Sequence, residues 1–381
     1  MKKSTLWILA AVFLISALVL GACTPAATET AAPEATTAPE STTPPEPTEP
    51  PAPDFTYSLI TPNPRGDRSF IDASVRGVEQ ANEEFGLNGQ IIETASIAEQ
   101  EAAIRTAISA GNDLILALAP DAETLLAIAT ENPDQKFGVP SDIFVETLPD
   151  NVAAFQVNVH EGSYLAGIVA GMMTETGTVG AVVGGDAPGL NQFYWAYKQG
   201  VLSVCPDCEV LVGYLAFDFS NPTLGKETAL AQYEQGADII FQVAGRSGEG
   251  VLSAAAETGN FAIGVDSNQD WIQPGSVITS MLKKVDVSTY LLVKNALEGN
   301  FQGGFAQVNM ADGATGLSWD EGSTDFEDNG PENMVSKLAD VKAAVEEARQ
   351  QILDGTLEVC DALNDPEAEA CAGLAEAAPT E

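Results

Sequence analysis

From Phe55 onward the chain alternates two spacings. Short apolar stretches rich in Val, Ile and Leu ("FTYSLI", "QIIETAS", "DLILALA", "KFGVP") are separated by segments with helical spacing of apolar positions ("SFIDASVRGVEQANEEFG", "AEQEAAIRTAISAG", "AETLLAIATENP"). A short run that is apolar throughout suits a strand covered on both faces, and the amphipathic segments between such runs supply the cover. The pattern predicts an α/β lobe built on a parallel sheet with helices on both sides. A second series starts near Ala153, with "AAFQVNV", "TVGAVVGG", "EVLVGYLA", "DIIFQVA" and "FAIGVD" as strands and helical segments between them. "SVITSMLKKVDVSTYLLVKNALEGN" adds one more strand and helix, expected to cross back to the first lobe. The expected division is residues 55–152 plus about 283–310 in the first lobe, 153–282 plus about 311–358 in the second, and an acidic tail at 359–381.

Two doubly wound lobes place ligand-contacting loops at the carboxyl ends of their strands. Four loops of that kind are legible: "GDRSF", "GGDAPG", "AGRSGEG" and "VDSNQD". The second raises a question about Gly184 and Gly185, which end the strand in "TVGAVVGGD". A glycine pair there serves packing, turning or close contact with a bound molecule, and the expectation is a position on a cleft wall.

The ends of the chain read differently. Lys2 and Lys3 precede an apolar run from Leu6 to Leu20, which leads into Gly21-Ala22-Cys23. That order resembles a bacterial lipoprotein signal spanning residues 1–23, with Cys23 acylated after cleavage. Residues 24–54 are almost entirely Pro, Thr, Ala and Glu with no large apolar side chain, a composition expected to stay extended as a spacer. The expected location is the outer face of the cell membrane, held there by lipid.

Charge and chemistry narrow the options. With 16 Lys and Arg against 55 Asp and Glu in 381 residues, the net charge of −39 repels a phosphate backbone, which excludes nucleic acid as a partner. The only histidine, His160, lies where a strand passes into a helix, and a Ser-His-Asp or Cys-His nucleophile would have to depend on it. "AGRSGEG" lacks the lysine of a phosphate-binding loop. An enzyme is therefore not expected, and no cofactor or metal is called for. Cys205 and Cys208 are either a local bridge or a redox or metal pair, and Cys360 and Cys371 are expected to close a loop.

Charged residues at strand ends stand out. Asp67 follows the first strand and suits both a helix N-cap for the segment opening at Phe70 and ligand contact. Asp266 ends "FAIGVD", where an acid can accept two hydrogen bonds from neighbouring hydroxyls, as on a ribose. Lys283, a rare cation, could pair with Asp266 and donate to the same hydroxyl, with Lys284 the surface member.

"GSYLAGIVAGMMTETGTVGAVVGGD", "GKETALAQYEQGADIIFQVAGRSGEGV", "IGVDSNQ" and "SMLKKVD", taken in order, resemble the basic membrane protein family, whose members include purine nucleoside receptor lipoproteins that feed an ABC transporter. The resemblance covers roughly Phe55 to Gly304. It implies a type I periplasmic-binding-protein fold of two Rossmann-like lobes, a solute-binding function without catalysis, a nucleoside-like ligand and an ABC permease as partner. It implies that Asp266 and Lys283 hold the ribose, that Gly245 approaches the ligand and that Phe219 stacks on the base, with Asp67 and Phe70 from the first lobe in the same site. The family commonly has an acid before the Asp of "DRSF", an Asn after its Phe and an aromatic a turn later, where this chain has Gly66, Ile71 and Val75. Those departures fall at the base end of the implied ligand. A tethered sensor that signals to a membrane partner is the alternative function.

Overall fold

In a computed structural model, the structure describes residues 54–141 and 143–374. The lipoprotein signal, Cys23, nearly all of the spacer and the last seven residues lie outside them.

The first sheet contains β1 (Tyr57–Thr61), β2 (Gln90–Glu93), β3 (Leu114–Ala117), β4 (Lys136–Val139), β5 (Val152–Val157) and β11 (Gly304–Val308), in the order β11-β5-β4-β3-β1-β2 and parallel throughout. The second contains β6 (Thr178–Val183), β7 (Glu209–Tyr214), β8 (Ile239–Val243), β9 (Phe261–Asp266), β10 (Val277–Lys283) and β12 (Thr315–Leu317), in the order β12-β10-β9-β8-β6-β7. Only β12 runs antiparallel, against β10. Helices α1 (Phe70–Phe85), α2 (Gln100–Ser109) and α3 (Ala122–Glu131) connect the first four strands. Helices α4 (Val159–Met173), α5 (Pro188–Val204), α6 (Pro222–Glu234), α7 (Gly248–Thr258) and α8 (Val285–Leu297) follow, and a long C-terminal helix spans Leu338–Leu353. The central strands β3, β6 and β8 are almost wholly apolar and buried, which is what cover by helices on both sides requires.

One strand differs from the expectation. β5, which reads as the opening of the second lobe, pairs with β4 and β11 in the first sheet. β10 lies in the second sheet beside β9, and its helix α8 returns to pack on α1. Three connections therefore pass between the sheets: β5 to α4, β10 to α8, and β11 to β12. They are tied to one another by backbone bonds from Asn158 to Val308 (2.9 Å) and from Lys284 to Ala314 (3.0 Å).

The small-residue helix in the sequence has a packing reason. A Cβ on Gly167 of α4 would lie 2.1 Å from the Tyr197 carbonyl oxygen of α5, and one on Gly200 would lie 2.1 Å from the Tyr164 carbonyl oxygen. The two helices cross backbone to backbone, which only glycine at the crossing allows. Tyr194 and Tyr197 of α5 are buried in the same core as β6 and β8.

The segment expected as an acidic tail is, over residues 359–374, a folded loop on α5. Disulfides join Cys205 to Cys208 and Cys360 to Cys371. Cys360, Cys371 and Leu374 pack against Trp195 and Leu202, while Cys360 N donates to Gln199 Oε1 (2.9 Å). His160 is buried in the first turn of α4, with its Nδ1 3.3 Å from Gln192 Nε2 and 3.8 Å from an Asp361 carboxylate oxygen. Burial holds its pKa below the usual 6.5, although Asp361 and Glu161 pull the other way.

Replacing Gly167 by Ala is expected to cost about 1–3 kcal/mol through overpacking, outweighing a gain of about 1 kcal/mol in helix propensity; the urea unfolding midpoint measures it. A depressed histidine pKa means that the unfolded chain binds the proton first. His160 thus contributes stability that is present above pH 6.5 and lost as pH falls towards its folded value. The melting temperature should drop over that interval in the wild type and drop less in His160→Gln.

Candidate functional site

In each sheet the strand order reverses beside the first strand of its series, between β1 and β3 and between β6 and β8. Adjacent crossover connections leave on opposite faces at such a point, which opens a crevice at the carboxyl ends. Backbone strain collects at those ends. Arg68 (φ 54°), Ala119 (43°), Ala216 (48°), Phe217 (67°) and Asp266 (65°) are the non-glycine residues with positive φ among those described, and they follow or end β1, β3, β7 and β9. Each such conformation costs on the order of 1–3 kcal/mol and persists only where surrounding contacts impose it.

Asp266 is met by a contact from the other lobe. Its carboxylate accepts a hydrogen bond of 2.6 Å from Ser69 Oγ, at the N-terminus of α1. Ser267 Oγ donates to the Ser69 carbonyl (3.3 Å), and Arg76 donates to Ser267 Oγ (2.9 Å). Gln269 spans both sides: its Oε1 accepts from Val265 N (3.0 Å) and Gln242 Nε2 (2.6 Å), and its Nε2 donates to the Arg68 carbonyl (3.2 Å). The Arg68 guanidinium lies 5.4 Å from the centre of the exposed Trp271 ring and 3.8 Å from Glu249.

Lys283 ends β10, the strand next to β9, and is 4% exposed. Its ammonium stands 4.9 Å from the ring centre of Phe70 and 5.6 Å from that of Phe193. Asp266 and Lys283 thus reach consecutive residues of the first lobe, Ser69 and Phe70. Strand alternation alone would turn them to opposite faces, because Asp266 is in register with Leu282. Lys284, the next residue, pairs with Glu321 at 2.8 Å.

Asp67 is spent on its helix. Its carboxylate accepts from the backbone N–H groups of Ser69 (3.1 Å), Ile71 (2.8 Å) and Asp72 (3.1 Å), while burial raises its pKa against the pull of those bonds. Gly66 N and Arg68 N both donate to Asp72, which holds the loop that leads into the helix. Ile71 and Val75 are buried in the first lobe's core.

The glycine pair has a direct answer. A Cβ on Gly184 would lie 2.1 Å from the Phe219 ring, and one on Gly185 would lie 2.6 Å from the Phe217 ring. The rings of "FDF" pack against the glycines at the end of β6, and a Cβ on Gly245 (φ 53°) would lie 3.6 Å from Phe219 Cβ. Gly184, Gly245, Asp266 and Lys283 end β6, β8, β9 and β10, consecutive strands of the sheet. Phe219, Gly245 and Gly184 form one group, and Phe70, Asp266 and Lys283 another, along the same edge.

A small cavity with room for about one water molecule lies between the lobes, bounded by Phe144 and Gln156 from the first and by Gln192, Phe193 and Lys283 from the second. Ser69, Phe193 and Gln192 were not singled out in the sequence. Ser69 sits inside "DRSF" and could have been, whereas the two on α5 carry no local signal. Among the described residues no group of three or more His, Cys, Asp or Glu could hold a metal ion, and no helix is long and apolar enough to cross a membrane. What the edge offers is hydrogen bonding by a carboxylate and an ammonium, flanked by aromatic faces.

If Phe219 is seated by the missing side chain at Gly184, Gly184→Ala should cost about 1–3 kcal/mol. In Gly184→Ala with Phe219→Ala the two losses should fail to add, by about 1 kcal/mol in a denaturation double-mutant cycle.

The family described as Bmp, ABC transporter substrate-binding protein PnrA-like, matches residues 56–356. The chain is 30% identical to a CD4+ T-cell-stimulating antigen of Listeria monocytogenes, over 94% of this chain and 99% of that protein. It is 27% identical to basic membrane protein A of Borreliella burgdorferi, over 74% of this chain and 84% of that protein. Its fold aligns with an ABC transporter solute-binding protein from Aeropyrum pernix at a TM-score of 0.73 and 29% identity, covering 83% of this chain and 94% of the other. Two mostly parallel sheets joined by three connections, with convergent strand ends between them, form the type I periplasmic-binding-protein fold, and the chain belongs to the PnrA-like family of ABC transporter substrate-binding proteins.

Proposed function

We propose that this substrate-binding protein is anchored by lipid at Cys23 and captures a purine nucleoside, or a related ribose-bearing molecule, between its lobes. The observation that carries the reading is the placement of Asp266 and Lys283 at adjacent strand ends, each in contact with the first lobe through Ser69 or Phe70. A carboxylate accepts from vicinal hydroxyls and an ammonium donates to them, so the two together suit a sugar diol. Phe219 and Phe70 offer ring faces on the same edge, and Gly245 lets a ligand come close to the backbone. Asp67 acts in this reading by fixing the N-terminus of α1, so that Ser69 and Phe70 are presented to the second lobe.

A ligand that touches both lobes drives closure, because only contacts made better in the closed form shift that equilibrium. The closed body is then what the permease receives. The spacer between Cys23 and Asp54 gives it reach from the membrane.

Isothermal titration and thermal shift with nucleosides, nucleobases and sugars test the assignment. Saturation at a hundredfold excess over Kd should add about 2.7 kcal/mol of stability in the wild type. Asp266→Ala and Lys283→Ala should each weaken nucleoside binding by about 2–5 kcal/mol, thirtyfold or more. Nucleoside affinity that survives both substitutions would remove these residues from the site, and a response to sugars alone would move the ligand class.

A further inference from the structure

Some contacts between the lobes owe nothing to a ligand. Arg68 and Trp271 stand at the solvent edge of the meeting lobes, the arginine side chain 47% exposed and the tryptophan 52%, whereas Ser69 and Asp266 are buried. The guanidinium of Arg68, from the first lobe, lies 5.4 Å from the centre of the indole of Trp271, and its Nε lies 3.8 Å from Glu249 Oε1 in the first turn of α7. One side chain thus reaches the segments that follow two neighbouring strands of the second lobe, β8 and β9.

Both ends of this contact are held in place. Trp271 Nε1 donates to the Asn268 carbonyl (3.0 Å), and the carboxylate of Asp270 beside it accepts from Ser280 Oγ (2.7 Å), Ser318 Oγ (2.6 Å) and Ser323 Oγ (2.6 Å). On the opposite side Arg68 N donates to Asp72 (2.9 Å), and the Arg68 carbonyl accepts from Gln269 Nε2 (3.2 Å). The backbone and the side chain of one residue therefore engage the two ends of one short turn, Gln269 and Trp271.

We propose that Arg68 is a positioning residue that latches the lobes together from their rim, with Trp271 and Glu249 as its catch, and so sets how much of the protein is closed whatever the ligand. The inference rests on the closure described under the proposed function and is independent of the nucleoside. A guanidinium suits the task because it stacks on an aromatic face and is attracted by the ring's negative charge distribution. The net charge of −39 works against every compact arrangement of the chain, and a cation that crosses to an acid of the other lobe offsets part of that repulsion. A ligand that binds the closed form has an apparent affinity proportional to the closed fraction, so losing the latch lowers every affinity by the same factor.

The test uses the full chain labelled with fluorotryptophan, the Trp271 resonance being identified by its loss in Trp271→Phe. Without ligand, Arg68→Ala should move that fluorine resonance and leave those of the other tryptophans in place; an unmoved Trp271 resonance overturns the latch. Binding of inosine, adenosine, cytidine and ribose is then titrated. Arg68→Ala and Trp271→Ala should each weaken every ligand that binds by one common factor of about two to five, and the double variant should lose less than the product of the two factors. Arg68→Gln should match Arg68→Ala, while Arg68→Lys, which keeps a cation near the ring, should recover part of the loss. Unequal factors among ligands would make Arg68 a ligand contact, and wild-type affinities in both alanine variants would leave closure to other residues; either result overturns the latch while the nucleoside reading stands. If the wild type binds no member of the panel, the nucleoside reading falls and the fluorine spectrum alone decides the latch.

Discussion

The hydrogen bond from Ser69 to Asp266 is the contact on which the meeting of the lobes turns. Asp266 is 9% exposed, so its carboxylate loses most of its hydration, and the loss is tolerable only if donors replace the water. Asp266 stands at the end of a buried strand in a left-handed conformation, a cost of its own that Asp bears better than most residues. A hydroxyl from the other lobe supplies a replacement donor. Around it, Gln269 ties β9 to the backbone of Arg68, and Arg76 reaches Ser267. The strained turns after β1 and β9 face one another, so that each loop's conformation is imposed partly by the opposite lobe.

Charge has a divided role. The chain carries −39, but at the strand ends the significant charge includes a buried cation. Lys283 lies between an aromatic ring from each lobe, and the ring faces compensate part of its lost hydration. Its position just before the β10 to α8 connection means that a change at the site is felt directly by a segment passing between the lobes. The general acidity bears on solubility and on repulsion of polyanions, while the local arrangement bears on what is held. This division fits a family whose members work outside the cytoplasm and hand a small molecule to a membrane permease.

Glycine does two separate jobs in one stretch of sequence. In α4 it lets two helices cross at backbone distance, a matter of core packing. At Gly184 and Gly185 it leaves room for the rings of Phe219 and Phe217. Both needs are for absent side chains, and the chain spells them identically. The first sets how closely α5 lies against α4, and α5 in turn carries Phe193 and Gln192 to the cavity.

The periodicity of apolar runs was enough to establish the α/β class, the order of helices and strands, and the strand-end loops that carry Asp266, Lys283 and Gly245. Those features follow from local pattern and from the geometry of parallel sheets, so a single chain displays them. The order of short motifs also carried the family. Sheet membership was beyond it for β5, which is buried on both faces, because a strand covered on both sides reads the same in either sheet. Only the tertiary structure decided that Asp67 serves its own helix, that Ser69 crosses to Asp266, and that an acidic terminal segment folds onto α5 and turns Leu363 towards the lobes. The physical reason is common to all three. Each is a choice among partners, and for Ser69 and Leu363 the partners lie far away along the chain. Periodicity records which residues are buried but not what they are buried against.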